Sequence, residues 1–315
     1  MSAAVRWLAA AWNRAWFSPV PAQVVGLMRL LLGALLVVDH LWLWPQLDFL
    51  FARDGPVPPS AAAGDLPWPR LTWMDAVDGP VALRLVWAGG LLVYLLFALG
   101  LGGRLMALLA LAFQASLYHR DPFYQHGGDR VLRLATLYMA TVPCSAALSL
   151  DAWRRARRGL PAIATVPAIA HRLIQLQLIT IYVHSGFVKA RGFTWEQGTA
   201  LYYALSNGQY ARAPGLLEPL LRSDLFLAAS RLATWLVLGW EAGFLLLIAW
   251  RRTRPLAMAV GVLMHLGIFL TLNVGSFSLV MLWCYLAWVD PARLDRLIGR
   301  WRARLPGSRP AVTGG

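Results

Sequence analysis

Residues 225–250, LFLAASRLATWLVLGWEAGFLLLIAW, decide the fold. The run is longer than the roughly 20 residues a helix needs to cross the hydrocarbon of a bilayer, and charge interrupts it only at Arg231 and Glu241. A β-barrel strand would be half that length and would alternate, so the spanning elements are predicted to be helices. The rest of the chain has the same character. Hydrophobic residues make up 58% of it, charged residues 14%, and mean hydropathy is +0.55, a balance outside that of soluble domains.

Seven further apolar runs lie at 24–44, 81–101, 105–119, 131–150, 172–189, 256–272 and 277–289, which predicts an all-α, polytopic transmembrane helix bundle of about eight spans. With both termini cytoplasmic, the arginine clusters at 154–158, 251–254 and 293–309 all fall inside. Most of the acidic residues fall outside, among them Asp48, Asp54, Asp65, Asp75, Asp78 and Asp121. This positive-inside asymmetry accounts for the net charge of +14 and removes nucleic acid as a partner; the expected location is a membrane that the chain crosses several times, with the lipid bilayer as partner. Residues 1–20 are expected to form an interfacial amphipathic helix with Val5, Leu8, Trp12 and Trp16 on one face, since Arg6 and Arg14 break any signal-peptide pattern. Residues 21–290 form the transmembrane domain and 291–315 a basic cytoplasmic tail expected to be disordered. The outer segment 45–80 reads as an irregular lid, and the outer segment 190–224 as carrying a short helix from about Glu196 to Asn207.

Ionisable residues inside spans are the default candidates for function, because lipid does not solvate them. Among 29 basic residues there is a single lysine, Lys189, at the outer end of the fifth span. Arginine stays charged in proteins, whereas a lysine in a dry site can give up its proton, so a lone lysine marks a place where arginine does not serve. Lys189, Ser185, Tyr182 and Gln175 recur at helical spacing on one face, which must turn into the bundle. His184 points elsewhere. Deeper still lie Glu241 and His265, on consecutive antiparallel spans and so able to pair, and Arg29, a counter-ion for Asp39 or Glu241. The turn His126-Gly127-Gly128-Asp129, with Arg133 behind it, places an imidazole at a glycine bend; Asp129 can cap the next helix and pair with Arg133. Cys144 and Cys284 lie within spans, and the histidines show no HxxxH or HExxH spacing, so neither a disulfide nor a metal site is expected.

The stretch Tyr182-Val183-His184-Ser185-Gly186-Phe187-Val188-Lys189, followed by Trp195 and Gly198, resembles the segment around the catalytic lysine of vitamin K-dependent gamma-glutamyl carboxylase and its bacterial relatives with the horizontally transferred transmembrane (HTTM) domain. The turn at His126 to Asp129 with Arg133, then Glu241, His265 and Gly275-Ser276-Phe277-Ser278, are similar to the bacterial members in the same order. The resemblance implies an enzyme, of carbon–carbon lyase or oxidoreductase type. In it Lys189 deprotonates a reduced, vitamin K-like quinone at the outer face, and His126 stabilises the reacting group. Tyr182, Ser185, Trp195, His184, Glu241 and His265 would line the quinone pocket. Animal carboxylases carry a large lumenal region after the membrane part, and residues 291–315 offer nothing comparable, so glutamate carboxylation itself is not expected. The alternative is a non-catalytic membrane maturation or partner factor for a secreted peptide or small protein, since some bacterial relatives resemble components of peptide-toxin production systems. A transporter is disfavoured by the lack of an inverted repeat.

Overall fold

The computed structural model describes residues 2–61 and 70–304. Asp65 and the last residues of the basic tail lie outside them. The chain is nearly all helix and divides into two compact units: Met1–Gln125, Asp129–Leu173 and Leu286–Gly315 in the first, His126–Gly128 and Ile174–Tyr285 in the second.

The first unit opens with α1 (Ala3–Phe17), capped by the Ser2 hydroxyl, which accepts from the Val5 N–H; Val5, Trp7, Leu8 and Trp12 stand exposed along it. A short antiparallel pair, β1 (Pro19–Pro21) with β2 (Thr165–Pro167), ties the start of α2 (Ala22–Leu43) to the segment before α8 (Ile169–Lys189). Then come α3 (Leu47–Phe51), α4 (Pro80–Leu99), α5 (Gly103–Arg120), α6 (Gly127–Ala140) and α7 (Leu150–Arg157). Helices α2 and α4 cross closely at Gly33, where a Cβ would lie 2.5 Å from the Ala98 Cα; between apolar helices in lipid such close backbone packing replaces the hydrophobic drive.

Helix α4 ends because Gly100 takes a left-handed conformation (φ 68°). Its N–H reaches the carbonyls of Leu96 and Phe97, and the Leu101 N–H reaches Leu96, a Schellman closure. A side chain at Gly100 would also run into the Arg29 guanidinium. Gly100→Ala is therefore expected to cost about 1–3 kcal/mol of stability, read as a lower thermal midpoint for the purified protein.

The outer segment before α4 is less irregular than its composition suggests. It holds α3 and a 3-10 turn at Met74–Ala76, and the buried Arg120 latches it by donating to the carbonyls of Phe51 (3.1 Å), Ala52 (2.6 Å) and Val57 (2.8 Å). These three carbonyls lie at and beyond the end of α3, where helical partners run out.

The second unit continues α8 and adds α9 (Phe193–Glu196), α10 (Ala200–Ser206), α11 (Pro214–Leu221), α12 (Asp224–Ala249), α13 (Arg254–Thr271) and α14 (Phe277–Cys284). The single helix expected from Glu196 to Asn207 is split, because Gly198 is held at φ 72° between α9 and α10. The loop after α10 is pinned to the end of α13: the Arg212 N–H donates to Thr271 O (2.8 Å) and the Asn273 N–H to Tyr210 O (2.7 Å).

Among the described residues, four helical stretches are long and apolar enough to cross a membrane: Ala22–Phe51, Pro80–Leu99, Asp224–Ala249 and Arg254–Thr271; Phe277–Trp288 is apolar but shorter. The run 131–150 is not one helix: α6 stops at Ala140, and 141–149 turns around Pro143, which has no N–H to give. The basic tail is not disordered throughout. Residues Pro291–Ala303 form α15, begun by the Asp290 carboxylate accepting from the Arg293 N–H (2.8 Å) with Pro291 in the first turn.

Candidate functional site

The second unit holds a half-open cavity of about 610 Å³, a size that suits a drug-sized molecule. Helix α10 supplies Ala200 and Ala204 to its wall, α12 supplies Ala233 and Val237, and α13 supplies Leu263 and Gly267. Small side chains on three helices leave the space that larger ones would fill. Apart from Thr234 and Thr271 the wall is apolar except at one end, where Lys189 and Glu241 are the only charged residues among the described ones.

That end is built by close backbone approach. At Gly186 a Cβ would lie 2.6 Å from the Ala242 nitrogen, so only glycine lets α8 run this near α12. Three residues on, Lys189 Nζ donates to Glu241 Oε1 at 2.7 Å and lies 4.4 Å from the centroid of the Trp195 ring. A carboxylate and an aromatic face are both attractive to a cation. Glu241 is the buried partner, and its Oε2 makes no hydrogen bond among the described residues.

Behind the pair, α8, α13 and the end of α14 meet in a second polar cluster. The Tyr182 hydroxyl lies 2.7 Å from His265 Nε2 and 2.7 Å from the Tyr285 hydroxyl, with Trp240 and Phe244 packed on the Tyr182 ring. Tyr182, His265 and Tyr285 are all buried.

A family model described as HTTM domain matches residues 17–292. The chain belongs to the HTTM-domain family. It is also similar to the sporulation-delaying protein SdpB of Bacillus subtilis, with 29% identity over 126 residues, 38% of this chain and 38% of that relative's length. No solved structure matches it.

In this HTTM chain the predicted site residues divide into several groups. Lys189, Trp195 and Glu241 come together on the cavity wall. Tyr182 and His265 meet each other in the cluster behind it and do not line the cavity. Ser185 is half-buried and His184 exposed, and neither is on the wall where the resemblance put them. The expected Glu241–His265 pair does not form: Glu241 takes the lysine, and His265 takes the tyrosine.

His126 stands apart from the cavity. Its Nδ1 accepts from the Gly128 N–H (3.0 Å), and Gly275, at φ 59°, makes room for the ring, since a Cβ there would lie 2.5 Å from Nε2. Asp129 falls inside the first turn of α6 rather than at its cap, a favourable end for a carboxylate. Arg133 reaches Gln125 Oε1 (3.3 Å) and lies over the Tyr118 ring. Asp129 and Arg133 also border a small cavity of about 30 Å³, room for one water, with Asp39, His40 and Tyr124; burial pushes the Tyr124 phenol well above its usual range. Arg29, expected as a counter-ion to Asp39 or Glu241, is held by backbone carbonyls. Its guanidinium donates to the carbonyls of Leu148 and Gly26, and Leu148 is held at φ 50° beside it.

A pocket at Trp195 and Glu241 was expected from the resemblance, but sequence reasoning missed Tyr285 and the apolar walls that the helices Ala200–Ser206 and Arg254–Thr271 supply. The signal for those walls was the small-residue spacing Ala200–Ala204 beside Ala233, which reads equally as tight helix packing.

Proposed function

We propose that this HTTM-family protein binds a lipophilic molecule in the α10–α12–α13 cavity and moves a proton at its Lys189 end. One observation carries the reading: a largely apolar cavity of about 610 Å³ whose only charged residues, among the described ones, are an ammonium and a carboxylate in contact. The Lys189 proton can pass along its 2.7 Å hydrogen bond to Glu241 Oε1, which leaves a free amine beside the cavity. That amine then takes the hydroxyl proton of a bound ligand, and the ammonium is restored against the oxyanion. A reduced, vitamin K-like quinone fits as ligand by the family resemblance; it is neutral and lipophilic and carries such a hydroxyl. In this reading the chain crosses a bacterial inner membrane about eight times with both termini cytoplasmic, so that Lys189 lies at the outer face.

The second reading is a maturation or partner factor for a secreted peptide or small protein. The similarity to a sporulation-delaying protein favours it, together with a lysine already held by Glu241 and Trp195.

Lys189→Arg separates the two, because arginine keeps the charge and does not titrate. Protein in lipid nanodiscs, given a reduced alkyl quinone and oxygen, should consume the quinone, and the arginine variant should be slower by about 100-fold or more, the usual scale for losing a positioned base. Equal rates in the two proteins would remove the base role. No turnover by either, with a peptide complex that survives Lys189→Arg, would establish the partner reading instead.

A further inference from the structure

The chemistry of the cavity's charged end goes further than its size and selects a class of ligand. We infer that the cavity is selective for neutral lipophiles with a hydrogen-bond-accepting head over anionic ones, and that Glu241 sets this selectivity. The inference rests on the proposed reading that the cavity holds a lipophile.

Seen alone, a lysine at the end of an apolar cavity is a receptor for a fatty anion. The structure assigns it differently. Lys189 and Glu241 are in contact at 2.7 Å and no other charge among the described residues lines the wall, so those residues give it no net charge. The balance even leans negative, because the buried Glu241 Oε2 has no donor among the described residues while its Oε1 has one. Bringing an anionic head into such a place removes it from water and sets it beside a carboxylate that already holds the ammonium. Neither cost is offset by a free cation. A neutral acceptor meets no such penalty. An ammonium has three N–H groups, and Glu241 Oε1 uses one, so a ketone, ester, sulfone or phenolic oxygen can take another. Trp195, lying under Nζ, restricts the angle from which that oxygen approaches.

Glu241 is then a specificity-determining residue. Glu241→Gln keeps the shape and an oxygen for Lys189, but it leaves the ammonium without a counter-charge, and the preference should move toward anions. Glu241→Asp keeps the charge and should keep the preference.

The test uses a matched pair of probes, an alkyl methyl sulfone and an alkyl sulfonate of the same chain length, with the full chain in nanodiscs of neutral lipid. Binding is read as displacement of a fluorescent lipophile, and folding of each variant is checked by its thermal midpoint. Wild type and Glu241→Asp should bind the sulfone at least about tenfold tighter than the sulfonate, and Glu241→Gln should abolish or reverse that ratio. A wild-type protein that bound the sulfonate as tightly as the sulfone would overturn the inference while leaving lipophile binding intact. A ratio unchanged in a folded Glu241→Gln would take the role away from Glu241. If neither probe displaced the reporter, the cavity reading would fall as well.

Discussion

Lys189→Ala should destabilise the protein by about 3–5 kcal/mol, the usual result of leaving a buried charge without its partner. Glu241 is the buried member, with 6% of its side chain exposed against 26% for Lys189. Removing the lysine therefore strands a carboxylate, whereas removing the carboxylate strands a less buried ammonium that keeps the Trp195 face. The asymmetry makes a second expectation: Glu241→Leu should cost less than Lys189→Ala, and the double variant Lys189→Ala/Glu241→Leu should recover most of the loss. A double-mutant cycle on thermal or denaturant unfolding in detergent measures both. A double variant no more stable than Lys189→Ala would mean that the two side chains do not form the pair described above.

Gly186→Leu should have the largest effect on the site of any substitution that leaves the charged residues in place. A Cβ at 186 would sit 2.6 Å from the Ala242 nitrogen and 2.8 Å from its Cα. Both are backbone atoms that cannot turn aside, so α8 must move from α12 to admit a leucine. Three residues further along α8, that movement draws Lys189 off Glu241 and opens the charged end of the cavity. Overpacking a close contact commonly costs about 1–3 kcal/mol, and here the stranded carboxylate is added to it. The expected outcome is loss of the folded protein, or a folded protein without lipophile binding. Gly186→Ala, with a single methyl to place, should be milder in both respects. Ordinary stability and binding in Gly186→Leu would show that the helices have slack at this crossing.

The membrane character and the place of Lys189 at the end of an apolar helix were both legible in the sequence. Runs such as 225–250 have no soluble alternative, and a lone lysine among arginines at the end of an apolar helix stands out without any partner in view. Partner choice was not legible. Lys189 and Glu241 are 52 positions apart, and helical spacing tells which face a residue occupies, not which residue on another helix it meets. Arithmetic that placed Glu241 and His265 on consecutive helices was correct and still chose the wrong pair, because the crossing at Gly186 brings α8 against α12 and hands the carboxylate to the lysine. His265 then falls to Tyr182. The run 131–150 shows the limit of hydropathy alone: Pro143 was a visible break inside it, outweighed by apolar neighbours. The start of α15 was written as Asp290-Pro291, a cap followed by a proline at the first position, but the arginine-rich, glycine-terminated tail masked it.

The central claim, that the cavity beside Lys189 and Glu241 holds a lipophilic molecule, is tested most directly by mass spectrometry of what the purified protein retains. Wild type is to be compared with Ala204→Trp, which puts a large side chain into the cavity from α10 and leaves both charged residues unsubstituted. The expected result is a neutral lipophile retained near one equivalent by wild type and lost from a folded Ala204→Trp, with bulk phospholipid equal in the two. The same small molecules, in the same amounts, from both proteins would contradict the account.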